Sequence, residues 1–391
     1  MVSPTPSPSN APLFAFAGGG TGGHLFPALA IAQALRDRRP DARIVFFATQ
    51  RPIDRKVLGD TDCDVITQTL PAMSGKPWRW PGALRGFYEA RRLCRAACAE
   101  RRPDVVVGTG GLGSVPALRE AHRAGIRTAI LNPDVLPGRA NRHLGRRVHA
   151  VFAQFGESSA WFPASANVVV IGCPVRSSFL RADAAVGQKR FGLDPHRKTL
   201  LVTGASQGAR SVNQAIAANL PFLETLTDWQ VLHLTGEPDL ATVEQAYRGR
   251  AIPAVALPFT DHMADALGAA DLVVCRAGAS FLAEIMAVGR AAILMPYPHH
   301  RDQHQMANAR CLSRSGAAWI VEDTADPATN APRLRSALEA LIGDRGQREE
   351  MATAARRCGR IDAADRIAVW MLEPTGAHDD ARVGETMEAV R

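Results

Sequence analysis

A glycine-rich run ending in histidine, GGGTGGH at residues 18–24, follows an apolar segment and precedes an amphipathic one. Glycines let the main chain turn tightly and let a ligand approach its amides, and a helix N-terminus attracts anions. The run therefore predicts a phosphate-binding turn between a strand and a helix. His24 is a candidate general base or acceptor contact, although it could only cap the helix. A dinucleotide site is disfavoured because the next predicted strand ends at Gln50 without an acidic residue.

Two further glycine turns follow the same plan. Residues 108–116 (GTGGLGSVP) and 204–210 (GASQGAR) each come directly after a short apolar run. Because the carboxyl ends of parallel strands meet at one edge of a sheet, the first two turns are expected to face one crevice, which suits a phosphate-bearing acceptor. The third offers Ser206 and Gln207 beside a helix start, where a donor diphosphate fits. Each turn could instead be a plain tight connection.

Polar side chains also follow a later predicted strand. Arg276 and Gly278 stand just after its end, and Glu284 lies on the helix that follows. A carboxylate at this place can accept hydrogen bonds from both hydroxyls of a ribose. The second half of the chain is therefore predicted to hold a nucleoside.

A polar cluster on the next loop contains Asp302, His304, Gln305 and Asn308. These side chains could bind sugar hydroxyls, whereas Asp302 could simply cap the helix. The histidines within residues 299–304 could hold a metal together with Asp302. Their spacing is irregular, so we predict no metal site.

Short apolar runs alternate with amphipathic segments along the chain, and the pattern restarts near residue 200. Such alternation is typical of parallel sheets with crossover helices. We therefore predict an α/β protein with two doubly wound, Rossmann-like domains. The predicted divisions are a disordered lead-in (1–12), an N-terminal domain (13–180), a C-terminal domain (188–350), a helical segment packing back toward the N-terminal domain (351–372) and a polar tail (373–391).

The charge is uneven, with 23 Lys/Arg against 12 Asp/Glu in residues 1–180 and a net charge of +8 overall. The basic first half predicts an anionic partner, either a membrane or nucleic acid, unless it only reflects an arginine-rich composition. No recognisable nucleic-acid module is present. Seven cysteines without a CxxC pair indicate neither a disulfide framework nor a zinc site, which fits a reducing cytoplasm. No signal peptide or membrane-spanning run is recognised.

Together these motifs resemble those of the MurG family, the peptidoglycan N-acetylglucosaminyltransferases with the GT-B fold, over residues 14–372. The resemblance lies in residues 19–27, 108–116, Asn141, 172–176, 204–209, 275–278, Glu284 and 302–308. It implies two Rossmann-like domains facing a central cleft. It also implies inverting transfer of GlcNAc from UDP-GlcNAc to the muramyl C4 hydroxyl of lipid I, which gives lipid II, with no cofactor and no essential metal.

The resemblance further assigns residues to the two substrates. The implied donor contacts are Thr21, Gly22, Arg176, Ser206, Gln207, Phe259, Thr260, Arg276, Gly278, Glu284, His304 and Gln305. The implied acceptor contacts are Gly19, Gly20, Gly23, Gly110, Gly111, Asn132 and Asn141. In this scheme Ser206 and Gln207 meet the diphosphate, Phe259 and Thr260 frame the uracil, and Glu284 binds the ribose.

One loop departs from the family pattern. The family usually carries His-Glu-Gln-Asn after the fourth strand, whereas this chain has Leu131-Asn132-Pro133-Asp134. Asn132 cannot act as a base, and Asp134 is the candidate replacement. Two other functions therefore stay open: a relative that uses another lipid acceptor such as diacylglycerol, and a non-catalytic UDP-sugar-binding scaffold.

A membrane patch is expected where aromatic and basic residues lie together. Its members are Trp78, Trp80, Phe87, Arg91 and Arg92, a composition that suits an anionic lipid surface, although a solvated amphipathic helix would look similar. The resemblance implies a peripheral protein on the cytoplasmic side of the inner membrane. The implied partners are UDP-GlcNAc, an undecaprenyl-diphosphate-linked acceptor and other cell-wall synthesis proteins, with no nucleic acid.

Overall fold

The structure is a computed structural model that describes residues 11–70, 80–204 and 208–374. Contacts divide the chain into two compact units, Met1–Pro174 with Asp362–Arg391, and Val175–Ile361. Each unit contains one parallel sheet with helices, because short strands joined by crossover helices pair in parallel. The predicted fold class, α/β with two doubly wound Rossmann-like domains, is confirmed.

The first unit has a sheet of seven parallel strands. They are β1 (Leu13–Ala17), β2 (Arg43–Thr49), β3 (Asp64–Gln68), β4 (Val105–Gly108), β5 (Arg127–Asn132), β6 (Ala150–Ala153) and β7 (Val168–Val170). Their order in the sheet is β3-β2-β1-β4-β5-β6-β7. The chain therefore reverses its direction of sheet growth after β3, and β1 and β4 lie side by side at the centre.

The helices of the first unit cover both faces of this sheet. They are α1 (Gly22–Arg38), α2 (Pro52–Gly59), α3 (Trp80–Glu100), α4 (Val115–Arg123), α5 (Arg139–Leu144) and α16 (Ala363–Leu372), with 3₁₀ turns at Leu112–Ser114 and Gly156–Trp161. Because side chains alternate along a strand, Phe14 and Phe16 of β1 pack with α1 and α16. Ala15 and Ala17 belong to the core on the other face, which includes residues of α3 and α4.

The second unit repeats the plan with six parallel strands. They are β8 (Lys198–Thr203), β9 (Trp229–Leu234), β10 (Ala254–Leu257), β11 (Leu272–Cys275), β12 (Ala291–Leu294) and β13 (Trp319–Ile320). Their order is β10-β9-β8-β11-β12-β13. The reversal again places the first strand, β8, beside the fourth, β11.

Ten helices of the second unit lie within the described residues. They are α6 (Ser177–Leu180), α7 (Ala184–Phe191), α8 (Arg210–Ala218), α9 (Leu220–Leu223), α10 (Leu240–Tyr247), α11 (Met263–Ala269), α12 (Ala279–Val288), α13 (His304–Arg314), α14 (Pro327–Gly343) and α15 (Arg345–Cys358), with a 3₁₀ turn at Glu237–Asp239. Asp183, Asp326 and Asp344 cap α7, α14 and α15 by accepting amide hydrogen bonds, the usual N-terminal signal.

The C-terminal helix α16 belongs to the first unit. Trp370 is buried and meets Phe152 edge to face, with ring centroids 5.2 Å apart. The Arg127 guanidinium lies 3.8 Å from the Trp370 ring centroid and donates a 2.8 Å hydrogen bond to the Trp370 carbonyl. The predicted helical segment 351–372 therefore falls in both units. Helix α15 packs on α12 and β12 in the second unit, and only α16 belongs to the first unit.

Among the described helices, none combines the length and the apolar character needed to cross a membrane.

We expect Trp370→Ala to lower the free energy of unfolding by about 3–5 kcal/mol, because it leaves a cavity under α16 and exposes the Arg127 guanidinium. Denaturant titration followed by circular dichroism measures this loss. Trp161→Ala is the control, because Trp161 is 47% exposed in the same unit and should cost less than about 1 kcal/mol. Equal losses in the two variants would contradict the anchoring role of Trp370.

Candidate functional site

The first two glycine turns meet at the carboxyl edge of the first sheet. Ala17 pairs with Gly108 in register, so the turns after β1 and β4 leave the sheet side by side. Gly18 has a φ of 148°, and a Cβ there would clash with the Thr109 hydroxyl. Only glycine leaves room here for the Thr109 side chain and the Gly110 carbonyl.

His24 lies between these two turns. Its Nδ1 is 3.0 Å from the Gly19 carbonyl oxygen. A Cβ on Gly110 would come within 3.1 Å of its Nε2, and one on Gly111 within 3.2 Å of its Cε1. The structure therefore brings together His24, both glycine turns and the start of α1.

The amides of the first turn are not all open to a ligand. The Gly18 amide donates to the Phe47 carbonyl at 3.1 Å, and the Gly20 amide donates to the Asp54 carboxylate at 2.6 Å. An acceptor contact through the Gly20 amide is therefore corrected, because that donor is already used. Within residues 11–70, 80–204 and 208–374, the amides of Thr21 and Gly22 have no acceptor.

A small crevice lies beside the turns in the first unit, and Gly23, Thr109, Asn132 and Cys173 are among its lining residues. Asp134 does not line it, although the Asn132 amide donates to the Asp134 carbonyl at 2.9 Å. The expected replacement of the lost base by Asp134 therefore finds no support in this geometry.

Asn141 is a buried support of the Asn132 loop. Its amide donates to the Leu131 carbonyl at 2.8 Å and to the Asn132 side-chain oxygen at 3.1 Å. Because Asn141 is 5% exposed and both bonds hold the loop, Asn141 positions Asn132, and its predicted direct contact with an acceptor stays a prediction.

In the second unit, Glu284 and Arg176 lie close enough to influence each other. Burial raises the pKa of the half-buried Glu284 carboxyl to about 7, although the positive charge of Arg176 opposes the rise. A strongly shifted carboxyl beside a single cation is typical of a ligand site. Glu284 and Arg176 were predicted to contact the ribose and the diphosphate of one donor, and those roles stay predictions.

Arg276 serves the interior instead of an open site. Its guanidinium donates to the Asp323 carboxylate at 2.5 Å, the Met295 carbonyl at 2.9 Å and the Ser211 hydroxyl at 2.7 Å. Burial alone would raise the pKa of Asp323, but hydrogen bonds from Ser211, the amide of Ala325 and Arg276 hold it below its ordinary value. These bonds join the ends of α8, β12 and β13, and the predicted contact of Arg276 with the donor stays a prediction.

The sugar loop is tied to the turn after β11. The Gln305 side-chain oxygen accepts hydrogen bonds from the amides of Tyr297 at 2.9 Å and Ala277 at 3.3 Å. His304 Nδ1 lies 2.8 Å from the Asp302 carboxylate. Gly278 directly precedes α12, so the loop, this turn and the helix bearing Glu284 are joined.

Of the other predicted donor contacts, Phe259 and Thr260 are described by the structure. Phe259 is 38% exposed, and the Thr260 hydroxyl accepts a 3.0 Å hydrogen bond from the His262 amide. Ser206 and Gln207 lie outside the described residues. Next to them, Gly208 has a φ of 73°, and a Cβ there would clash with the Thr235 carbonyl, so the third turn lies close to the end of β9.

Three side chains of the sugar loop are arranged so that they could hold a metal. Ligand atoms of His300, Asp302 and His304 all lie within 4.8 Å of one another. These three residues are irregularly spaced in the sequence, but the fold still brings their ligand atoms together.

Sequence models of a single enzyme family match both units. The glycosyltransferase family 28 N-terminal domain matches residues 14–153, and the C-terminal domain of that family matches residues 199–367. This chain belongs to glycosyltransferase family 28.

Individual relatives agree with this family 28 assignment. The chain is 37% identical to the UDP-N-acetylglucosamine--N-acetylmuramyl-(pentapeptide) pyrophosphoryl-undecaprenol N-acetylglucosamine transferase of Syntrophus aciditrophicus, over 90% of this chain and 95% of the relative. It is also 37% identical to the protein of the same name from Moorella thermoacetica, over 91% and 97%. The crystal structure of Acinetobacter baumannii MurG is similar, with a TM-score of 0.71 and 26% identity, over 92% of this chain and 98% of that one. The predicted resemblance to the MurG family is confirmed.

Sequence reasoning missed two buried carboxylates that support this family 28 site. Asp54 lies in the first turn of α2 and Asp323 in the connection after β13; both are outside every motif, and they are 1% and 4% exposed. An isolated Asp is common in sequences, so its sequence context does not mark it as important. Its hydrogen-bond partners are visible only in the folded chain.

We expect Glu284→Gln to stabilise the protein above neutral pH. The folded carboxyl holds its proton up to a pKa of about 7, against an ordinary value of 4.5, so wild-type stability falls as the pH rises through this interval. The amide cannot ionise, so the variant should gain up to about 3 kcal/mol at pH 8. Thermal unfolding from about pH 4 to 8 measures the difference.

Glu350→Gln, at an exposed position of α15, is the matched control and should show no pH-dependent gain. A Glu284→Gln variant with the same pH dependence as the wild type would show that this carboxyl is not shifted.

Proposed function

We propose that this family 28 chain transfers N-acetylglucosamine from UDP-N-acetylglucosamine to the muramyl C4 hydroxyl of lipid I, an undecaprenyl-diphosphate-linked acceptor. The observation that carries this proposal is 37% identity, over about nine-tenths of the chain, to relatives named for that transfer. The local chemistry of each unit supports it.

The second unit has the groups that a UDP-sugar requires. Glu284, once ionised, can accept hydrogen bonds from both ribose hydroxyls, and Arg176 can balance the charge of the diphosphate. The exposed ring of Phe259 offers a surface for the uracil. His304 and Gln305, joined to Asp302 and the turn after β11, are placed to bind sugar hydroxyls.

The first unit has groups suited to the acceptor and to proton transfer. The Thr21 and Gly22 amides stand at the start of α1, where an anion is favoured. His24 is a candidate base for the attacking hydroxyl. As the acceptor oxygen bonds to the anomeric carbon, UDP leaves with the electron pair of the broken bond, and its charge is stabilised by cationic groups and the start of α8.

Two alternatives remain to be tested because Asn132 stands where the family usually has an acidic residue. One is transfer to a different lipid such as diacylglycerol, and the other is UDP-sugar binding without turnover. We also propose that transfer needs no metal, because Arg176 and helix N-termini can stabilise the leaving diphosphate.

The test is transfer from radiolabelled UDP-N-acetylglucosamine to a short-chain lipid I analogue, compared with diacylglycerol, with and without EDTA. We expect label on the lipid I analogue alone and an unchanged rate in EDTA. His24→Ala should lower kcat by about 100-fold, whereas His122→Ala, exposed near the end of α4, should not.

Each other result rejects part of the proposal. Label on diacylglycerol alone would favour the alternative acceptor, and binding without turnover on either lipid would favour the scaffold. Activity lost in EDTA and restored by a divalent metal would contradict metal independence and direct attention to His300, Asp302 and His304.

We propose that the protein binds the cytoplasmic face of the inner membrane peripherally through α3. Trp80, Leu84 and Tyr88 are 54%, 69% and 66% exposed, and their spacing of four residues places them along one side of the helix. The exposed Arg92 continues this row. Large exposed apolar side chains beside a cation suit an anionic lipid surface.

Other predicted members of this patch have different surroundings. Phe87 is partly buried and packs against the core of the first unit, and Arg91 is paired with Glu120 at 2.6 Å. They are therefore removed from the lipid-contacting set, whereas Trp78 lies outside the described residues.

The double change Trp80→Ser and Tyr88→Ser should reduce binding to vesicles that contain anionic lipid by about 10-fold or more, because it removes two exposed rings. Co-sedimentation with vesicles measures this binding. Trp161→Ser, an exposed indole on a 3₁₀ turn of the same unit, is the control. If the double variant bound vesicles as well as the wild type, α3 would not be the contact.

A further inference from the structure

A buried carboxylate holds the first glycine turn from beneath. Asp54, in the first turn of α2, accepts hydrogen bonds from the Gly20 amide at 2.6 Å, the Thr49 amide at 2.8 Å and the Thr49 hydroxyl at 2.7 Å. It is 1% exposed. Removing a buried acceptor leaves its donors unsatisfied, which is costly, so these bonds fix the turn relative to the end of β2.

The carboxylate also occupies the space that a side chain on the turn would need. Gly19 has a φ of 141°, and a Cβ there would clash with the Asp54 carboxylate. On the outer side, the Arg51 guanidinium donates to the Gly20 carbonyl at 3.1 Å. Both polar groups of Gly20 are therefore held. The Gly19 carbonyl shares a planar peptide with the Gly20 amide, so the bond from that amide to Asp54 fixes its orientation.

That carbonyl determines which nitrogen of His24 carries the proton. A carbonyl oxygen only accepts hydrogen bonds, so the 3.0 Å contact with the Gly19 oxygen requires a proton on His24 Nδ1. In the neutral ring the lone pair is then on Nε2. Nε2 lies against the second glycine turn, where Gly110 leaves it room.

We propose that Asp54 is a positioning residue that sets the tautomer of His24 and so makes Nε2 the proton acceptor. This inference rests on the proposed transferase function. When the acceptor oxygen bonds to the anomeric carbon and UDP departs with the electron pair, the hydroxyl proton passes to Nε2. The resulting imidazolium still donates from Nδ1 to the Gly19 carbonyl, so the ring need not turn during the reaction.

The test combines nitrogen-15 NMR of histidine-labelled full-length protein with steady-state kinetics. At about pH 8.5, where imidazole is ordinarily neutral, the wild type should show His24 protonated on Nδ1, assigned by the signal absent from His24→Gln. Asp54→Asn keeps one acceptor oxygen instead of two, so an NH2 donor faces either the Gly20 amide or the Thr49 amide and the support of the turn is weakened. It should shift His24 toward the other tautomer and lower kcat by about 10- to 100-fold, with the donor KM changed less than about twofold.

Two further variants separate positioning from general stability. Asp60→Asn, just beyond α2 at an exposed position, should change neither the tautomer nor kcat. Asp54→Glu, which keeps the carboxylate, should restore the Nδ1 tautomer at least in part. If Asp54→Asn does not fold, Arg51→Ala removes the outer bond to Gly20 and should shift the same signal in the same direction.

Two results would overturn the proposal: His24 protonated on Nε2 in the wild type, or an unchanged Nδ1 tautomer in folded Asp54→Asn. The NMR experiment needs no substrate, so it is separate from the test of the transferase function. A tautomer shift in a protein that transfers sugar to no lipid would support the positioning role and reject the proposed function. Transfer to lipid I by a protein whose His24 tautomer does not shift in Asp54→Asn would support the proposed function and reject the positioning role of Asp54.

Discussion

The close packing of Gly18 against Thr109 and Gly110 is the constraint on which the first unit depends. Parallel strands bring their carboxyl ends to one edge, and the pairing of Ala17 with Gly108 places the following turns in contact. Any side chain on Gly18 would separate them. Because the turns touch, the ring of His24 has the Gly19 carbonyl on one side and Gly110 on the other, an environment that neither turn could provide alone.

Buried carboxylates hydrogen-bond to residues that follow the ends of strands in both units. Asp54 binds the first glycine turn, and Asp323 joins Arg276 and Ser211 beneath the turns of the second unit. Buried charges are tolerated only when they are fully paired. Each carboxylate here accepts several hydrogen bonds, so the turns above it have little freedom. Each unit thus contains a buried carboxylate that binds a residue following the end of a strand, Gly20 after β1 and Arg276 after β11.

Glu284 represents the opposite use of a carboxyl group. Burial raises its pKa to about 7 and only the charge of Arg176 opposes the rise, so its ionised form is not fully compensated within the unit. Ribose hydroxyls could supply the missing donors. The ionised Glu284 therefore lowers the stability of the folded chain at neutral pH but is suited to binding hydroxyl groups. A loss of stability at a functional position is common in proteins. Arg276 and Glu284 were predicted to bind one nucleotide; in the structure Arg276 is hydrogen-bonded in the interior, whereas the charge of Glu284 is opposed only by Arg176.

The sequence by itself determined the two parallel-sheet units, the positions of the glycine turns and the family, because strand and helix periodicity and glycine requirements are local properties of the chain. It also pointed to His24, Glu284 and the sugar loop as candidate site residues, because they follow the strands β1, β11 and β12 in the chain. Only the tertiary structure decided that Arg276 and Asn141 turn inward, that Phe87 packs in the core and that Arg91 pairs with Glu120. It also revealed Asp54, and it divided the predicted returning segment so that only α16 joins the first unit. These outcomes depend on contacts between residues that are distant in the sequence. The type of a residue and its neighbours in the sequence do not specify such contacts.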